Sequence, residues 1–238
     1  MSNLHLTSPA FRQQPSVIPN VDPAAPMALV LAVDLIAPGI VELVAVGDLS
    51  SQSYRWQVDA GVASLPVVGL KPGKSYRLEV SVIDAMGQRF EVEPLFVQTP
   101  ALPICSLDFP PLRVNRADRA LMEPGLTLLS VRRRALGRSH RMTPEQRRFT
   151  TEWSLILALD EDGDIVWFYR SPSRIAGVTT LDNGNLFFHT ARNSPTEIDW
   201  LGRTLRCWDA ALGPNPMPAG AIPVQAVTLH HQPDTLTN

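Results

Sequence analysis

Two turns in this chain of 238 residues match each other. Leu159-Asp160-x-x-Gly163 and Ile198-Asp199-x-x-Gly202 share one spacing and lie 39 residues apart. An aromatic residue, Tyr169 or Trp208, stands six positions after each Gly. Strand-length stretches flank the turns: Trp153–Leu159 and Asp164–Tyr169 around the first, Arg203–Trp208 after the second. A third turn, Leu181-Asp182-Asn183-Gly184-Asn185, precedes Leu186–His189. Hairpins that repeat at about 40–45 residues mark β-propeller blades. One four-stranded blade cannot bury both of its faces, so blades stack. A plain sandwich or meander is the simpler arrangement that the same hairpins allow.

Proline supports the strand reading. The chain holds 22 Pro, well above the usual share of about 5%. Pro breaks helices and is confined to strand edges, strand starts and turns, which excludes a helical bundle. The sequence predicts four parts: a flexible arm over 1–26, a β-sandwich over 27–99, a Pro-rich linker over 100–125, and propeller blades over 126–238. In the sandwich, Met27–Ile36, Val41–Val46, Tyr54–Val58, Tyr76–Ile83 and Phe90–Val97 are strands, with a turn at Asp84–Gly87. Tyr76, Leu78, Val80 and Val82 share one face by the period of two. Leu70…Pro72-Gly73…Tyr76 resembles the tyrosine corner of fibronectin-type-III-like domains, in which a Tyr hydroxyl ties strand to loop. Phe109 and Leu112 are candidates to pin the linker. A short helix starts at Thr143-Pro144-Glu145, with Thr143 as cap and Pro144 in the first turn.

The formal net charge is −2, so the chain has no nucleic-acid-like excess of positive charge. The charge is unevenly placed, with an Arg-rich stretch comprising Arg132, Arg133, Arg134, Arg138, Arg141, Arg147 and Arg148. Only Phe149 stands beside it, which argues against nucleic-acid stacking and for a solvated loop. Two cysteines, Cys105 and Cys207, are too few for a disulfide framework or a zinc site; two buried thiols are expected, one bridge being the alternative. The N-terminus lacks the basic start and apolar core of a signal peptide. The apolar run after Pro26 is too short to span a membrane, so the expectation is a soluble chain with no export signal.

His230-His231 is the foremost candidate for chemistry. It follows a strand-like stretch, Val224–Leu229. Adjacent strand residues point to opposite faces, so one His could face a propeller channel. His189, at the end of a hairpin strand, is a weaker candidate, and His5 and His140 fall in loops. Asp160, Asp162 and Asp164 alternate as in a calcium loop, but the Gly and distant Glu of an EF-hand are misplaced. They read as a charged turn, and no metal or cofactor site is assigned. Phosphate-binding loops, dinucleotide fingerprints and serine elbows do not occur.

Taken together, these stretches resemble bacterial arylsulfotransferases. The resemblance rests on Leu155–Tyr169 with its Asp-Glu-Asp-Gly turn, Gly177…Leu181-Asp182-Asn183-Gly184-Asn185-Leu186, Glu197-Ile198-Asp199-x-x-Gly202, and the His pair near the next Leu-x-Asn turn. It covers 120–238 well and 27–112 loosely. It implies an all-β fold: an N-terminal fibronectin III/Ig-like β-sandwich followed by the first blades of an incomplete β-propeller. It also implies transfer of a sulfuryl group from an aryl sulfate donor to a phenolic acceptor through a sulfohistidine, without a nucleotide or other cofactor. By motif position, His231 and then His230 are expected to contact sulfuryl oxygens, although Gln232 stands where the family commonly has an acid. No position matches the family's nucleophilic His or its Arg. Leu236 and Asn238 align with Leu181 and Asn183, so the expectation is a fragment ending mid-hairpin and inactive alone. The family is often periplasmic. A non-catalytic fibronectin-like and propeller binding module is the alternative, and a quinoprotein-type dehydrogenase is a weaker one because no quinone or calcium ligands are found.

Overall fold

The structure is a computed structural model and describes residues 10–48, 50–105, 109, 111–135, 142–190 and 194–229. It is all-β, with one short helix, and divides into two compact units. The first comprises the chain up to Asn20 together with Met27–Arg113. The second comprises Val21–Pro26 and the chain from Val114.

The first unit has eight strands: β1 (Phe11–Pro19), β2 (Leu29–Leu35), β3 (Gly39–Val46), β4 (Ser51–Val58), β5 (Gly61–Val67), β6 (Ser75–Ile83), β7 (Arg89–Glu91) and β8 (Leu95–Gln98). They form two antiparallel sheets. One has the order β1-β2-β5, and the other β4-β3-β6-β7 with β8 also on β6. The period-two pattern closes them into a sandwich. Leu29, Leu31, Val33 and Leu35 from one sheet share a core with Val41, Leu43, Ala45, Tyr76, Leu78, Val80 and Val82 from the other. The tyrosine corner forms as expected: buried Tyr76 accepts the Lys71 backbone N–H on its hydroxyl at 3.0 Å.

Three expectations are corrected here. The flexible arm over 1–26 holds strand β1, whose Val17 pairs with Leu31 and whose Phe11 enters the core. Pro15 lies where the register shifts and Pro19 ends the strand, which an edge strand tolerates. Phe90–Val97 is two strands rather than one, because Pro94 lacks an N–H for the ladder and interrupts the pairing with β6. Edge strand β5, with Pro66 in it, has no counterpart in the sequence reading. Within the expected linker, Phe109 is buried and Leu112 is exposed.

The second unit contains β9 (Thr127–Arg132), α1 (Pro144–Thr151), β10 (Ser154–Leu159), β11 (Ile165–Ser171), β12 (Ile175–Thr180), β13 (Leu186–Thr190), β14 (Pro195–Ile198), β15 (Thr204–Ala210) and β16 (Ile222–Val224). One sheet has the order β9-β10-β11. Ala24 of the segment Val21–Pro26 lies beside its β11 edge, accepting the Arg170 N–H at 2.7 Å. The other sheet is the four-stranded antiparallel meander β12-β13-β14-β15, extended by β16 in parallel. The two sheets stack as neighbouring blades do. Tyr169 meets Phe188 with ring centroids 5.9 Å apart, and Trp167 meets Trp200 edge-on at 5.0 Å. Trp167 Nε1 also donates to the Trp200 carbonyl at 2.9 Å. Sandwiched this way, β10 buries Ser154 through Ala158 without a break.

Candidate functional site

Antiparallel strands sort their connections to two ends. In the second unit the three Asp- and Asn-containing turns, 160–164, 181–185 and 199–203, gather at one end. Helix α1 and the termini Arg132, Ser154, Ser171 and Ile175 gather at the other, where Ser154 Oγ donates to the Ser173 carbonyl and accepts the Ile175 N–H. The charges sort the same way. Asp160, Glu161, Asp162, Asp164, Asp182 and Asp199 lie at the turn end, with Arg203 paired to Asp199. Arg132, Arg133, Arg134, Arg147, Arg148 and Arg174 lie at the helix end, with Glu145, Glu152 and Asp209.

At the acidic end the turns are built alike. Asp160 Oδ1 accepts the N–H groups of Asp162 and Asp164 at 3.0 and 2.9 Å. Asp199 Oδ1 does the same for Leu201 and Arg203, both at 3.0 Å. The ligand atoms of Asp160, Asp162 and Asp164 lie within 4.8 Å of one another, yet the equivalent turn at Asp199 forms without such a triplet. Closing the turn therefore accounts for Asp160. Close by stands Glu197 on β14, only 2% exposed. Its Oε1 accepts from Asn183 Nδ2 at 2.9 Å and Asn185 Nδ2 at 2.6 Å, and the Arg206 guanidinium lies 3.8 Å from Oε2. Burial works to raise its pKa, but the amides of Asn185 and Asn183 and the charge of Arg206 outweigh that, leaving the carboxyl below its ordinary range. Such a carboxylate is a fixed charge that ties the 181–185 turn to β14, and a poor general base.

At the basic end the expected helix forms. Thr143 Oγ1 accepts the Gln146 N–H, Gln146 Oε1 accepts the Thr143 N–H, and Pro144 is the first helical residue. Within the Arg stretch, Arg133 departs from the solvated loop expected of it. The Arg133 guanidinium stacks against both Phe149 and Trp153, 5.0 and 4.4 Å from their ring centroids. Trp153 went unnoticed in the sequence because it stands far from Arg133 along the chain, and only the pairing of β9 with β10 brings the two together. Arg132, Arg134, Arg147 and Arg148 are exposed, while Arg138 and Arg141 lie outside the described residues.

The sequence-selected histidines fare differently. His189 is buried on β13, opposite Pro195. His230 and His231 lie outside the described residues, as do His5 and His140. The strand expected over Val224–Leu229 is corrected: β16 ends at Val224, because its parallel partner β15 ends at Ala210. Cys105 and Cys207 are free thiols; Cys105 is exposed and Cys207 half-buried, against the expectation of two buried ones. Sequence reasoning missed Glu197, whose signal was an acid in a short strand facing an Asn-x-Asn turn. It also missed Trp153 and Arg174, which only the stacking of β10 on β12 brings together. Among the described residues no helix is long and apolar enough to cross a membrane. The chain matches no protein-family model and no curated protein.

Proposed function

We propose that this chain supplies the sandwich and first blades of an arylsulfotransferase-type enzyme, which moves a sulfuryl group from an aryl sulfate to a phenol without a nucleotide. The observation that carries this reading is the ordered set of turn motifs, ending in His230-His231, on a β-sandwich followed by stacked meander sheets. In the reaction a histidine nitrogen attacks sulfur and the S–O bond to the aryl group breaks. The aryl oxygen leaves with the electron pair and takes a proton. The acceptor oxygen then attacks the sulfohistidine sulfur, the S–N bond breaks and the acceptor proton is released. His231 and His230 are assigned to the sulfuryl oxygens, where imidazole N–H groups offset charge developing on oxygen. The nucleophile has no motif match among these residues.

The test is transfer by the full gene product from 4-nitrophenyl sulfate to phenol with no nucleotide present. Phenyl sulfate should appear in step with 4-nitrophenol, and His231→Ala should lower kcat at least about tenfold. The 238 residues alone should give no turnover. Transfer that requires a nucleotide donor, or no transfer alongside retained binding of a protein or glycan partner, would overturn the reading, the latter in favour of a binding module.

A further inference from the structure

We propose that the basic end of the second unit holds a small oxyanion, a sulfate or phosphate group, on Trp153 Nε1, Arg174 Nε and Arg133. Three observations fall at that end. Trp153 is 7% exposed, and its indole N–H has no hydrogen-bond acceptor among the described residues. The buried Nε–H of Arg174 likewise has none. These donors sit on segments bonded to each other: Arg174 N–H donates to the Thr151 carbonyl at 2.7 Å, and Ser154 Oγ bridges to Ser173 and Ile175. Arg133, stacked on the Trp153 ring, brings a further positive charge.

Buried donors without acceptors are costly and rare, and an oxyanion is the ligand that answers several of them at once. It accepts from indole and guanidinium N–H groups together, and its charge is offset by the guanidinium groups. The surrounding Arg132, Arg134, Arg147 and Arg148 would draw anions toward this end, while the carboxylates of the opposite end would repel them. The inference does not depend on sulfuryl transfer, and either can fail without the other.

The test is an NMR titration of the ¹⁵N-labelled 238-residue chain with sodium sulfate and sodium phosphate, against sodium chloride at matched ionic strength. Sulfate, phosphate or both should move the Trp153 indole N–H and Arg174 Nε–H resonances saturably, and chloride should not. The anion that saturates first names the preferred source. Arg174→Gln should weaken binding at least about tenfold. Trp153→Phe keeps a ring beneath Arg133 but removes the N–H, and should weaken binding several-fold. Unchanged indole resonances of Trp56 and Trp167 report that each variant is folded. If Arg174→Gln unfolds, Arg174→Lys keeps the charge without Nε–H and should still weaken binding. Shifts that fail to saturate and match those in chloride, or folded variants that titrate like the wild type, overturn the proposal.

Discussion

The sandwich and the second unit use the same turn and build different architectures from it. Ile83-Asp84-x-x-Gly87 joins β6 to β7 as Leu159-Asp160-x-x-Gly163 joins β10 to β11. Asp84 Oδ1 accepts the N–H groups of Met86 and Gln88 at 2.9 and 2.8 Å, the pattern seen at Asp160 and Asp199. The glycines match as well, with φ of 79° at Gly87, 81° at Gly163 and 85° at Gly202. The turn is thus a local device that serves either unit. The difference lies in what covers the strands. Along β3, the central strand of a sandwich sheet, residues alternate between buried and half-buried. Along β10 five consecutive residues are buried. A sandwich layer has one core-facing side, whereas a sheet stacked as a blade is covered on both.

The strongest way to break this comparison is Trp167→Ala. Trp167 is fully buried and joins the two sheets of the second unit through Trp200. The expected cost is about 3–5 kcal/mol, read as lost hydrogen-exchange protection in β10–β13. Unchanged protection would mean that stacking does not hold these strands.

Glu197→Ala is next. It strips the acceptor from Asn183 and Asn185, at an expected cost of about 1–3 kcal/mol. The wild type should also show a pH signature. The folded pKa lies below the unfolded one, so the contribution is present above the unfolded value, near about 4.3, and is lost as pH falls through the folded value. Glu197→Gln should flatten that acid decline in urea midpoints; an identical decline would remove Glu197 as its source.

Tyr76→Phe tests the sandwich's own peg. It leaves the Lys71 N–H without its acceptor, and the urea midpoint should report a loss of about 1–2 kcal/mol. The smallest effect is a difference. Gly87→Ala and Gly163→Ala both force a side chain into left-handed backbone, at about 1–2 kcal/mol each. A Cβ at Gly87 would meet nothing within 4 Å, while one at Gly163 would collide with the Val114 side chain. Gly163→Ala should therefore cost more in calorimetry, and equal costs would erase the distinction between an open and a covered turn.

Local chemistry was legible in the residues. The hairpin turns, the α1 cap at Thr143 and the tyrosine corner each depend on a few neighbours in sequence, and each forms where its residues predict. Strand β1 was not legible, because Pro15 and Pro19 read as breakers until an edge position makes them harmless. Nor were the repeats diagnostic by themselves: the turn at Asp84 has the same form and belongs to the sandwich.

By itself the sequence determined the all-β class, most strand positions and the turn geometry, because these follow from short-range periodicity and backbone sterics. Only the tertiary structure decided which strands were covered on both faces, how charge divided between the two ends of the second unit, and that Trp153 and Arg174 share one end. The reason is that burial and electrostatics depend on residues distant in the chain, and strand register, rather than spacing in sequence, brings those residues together.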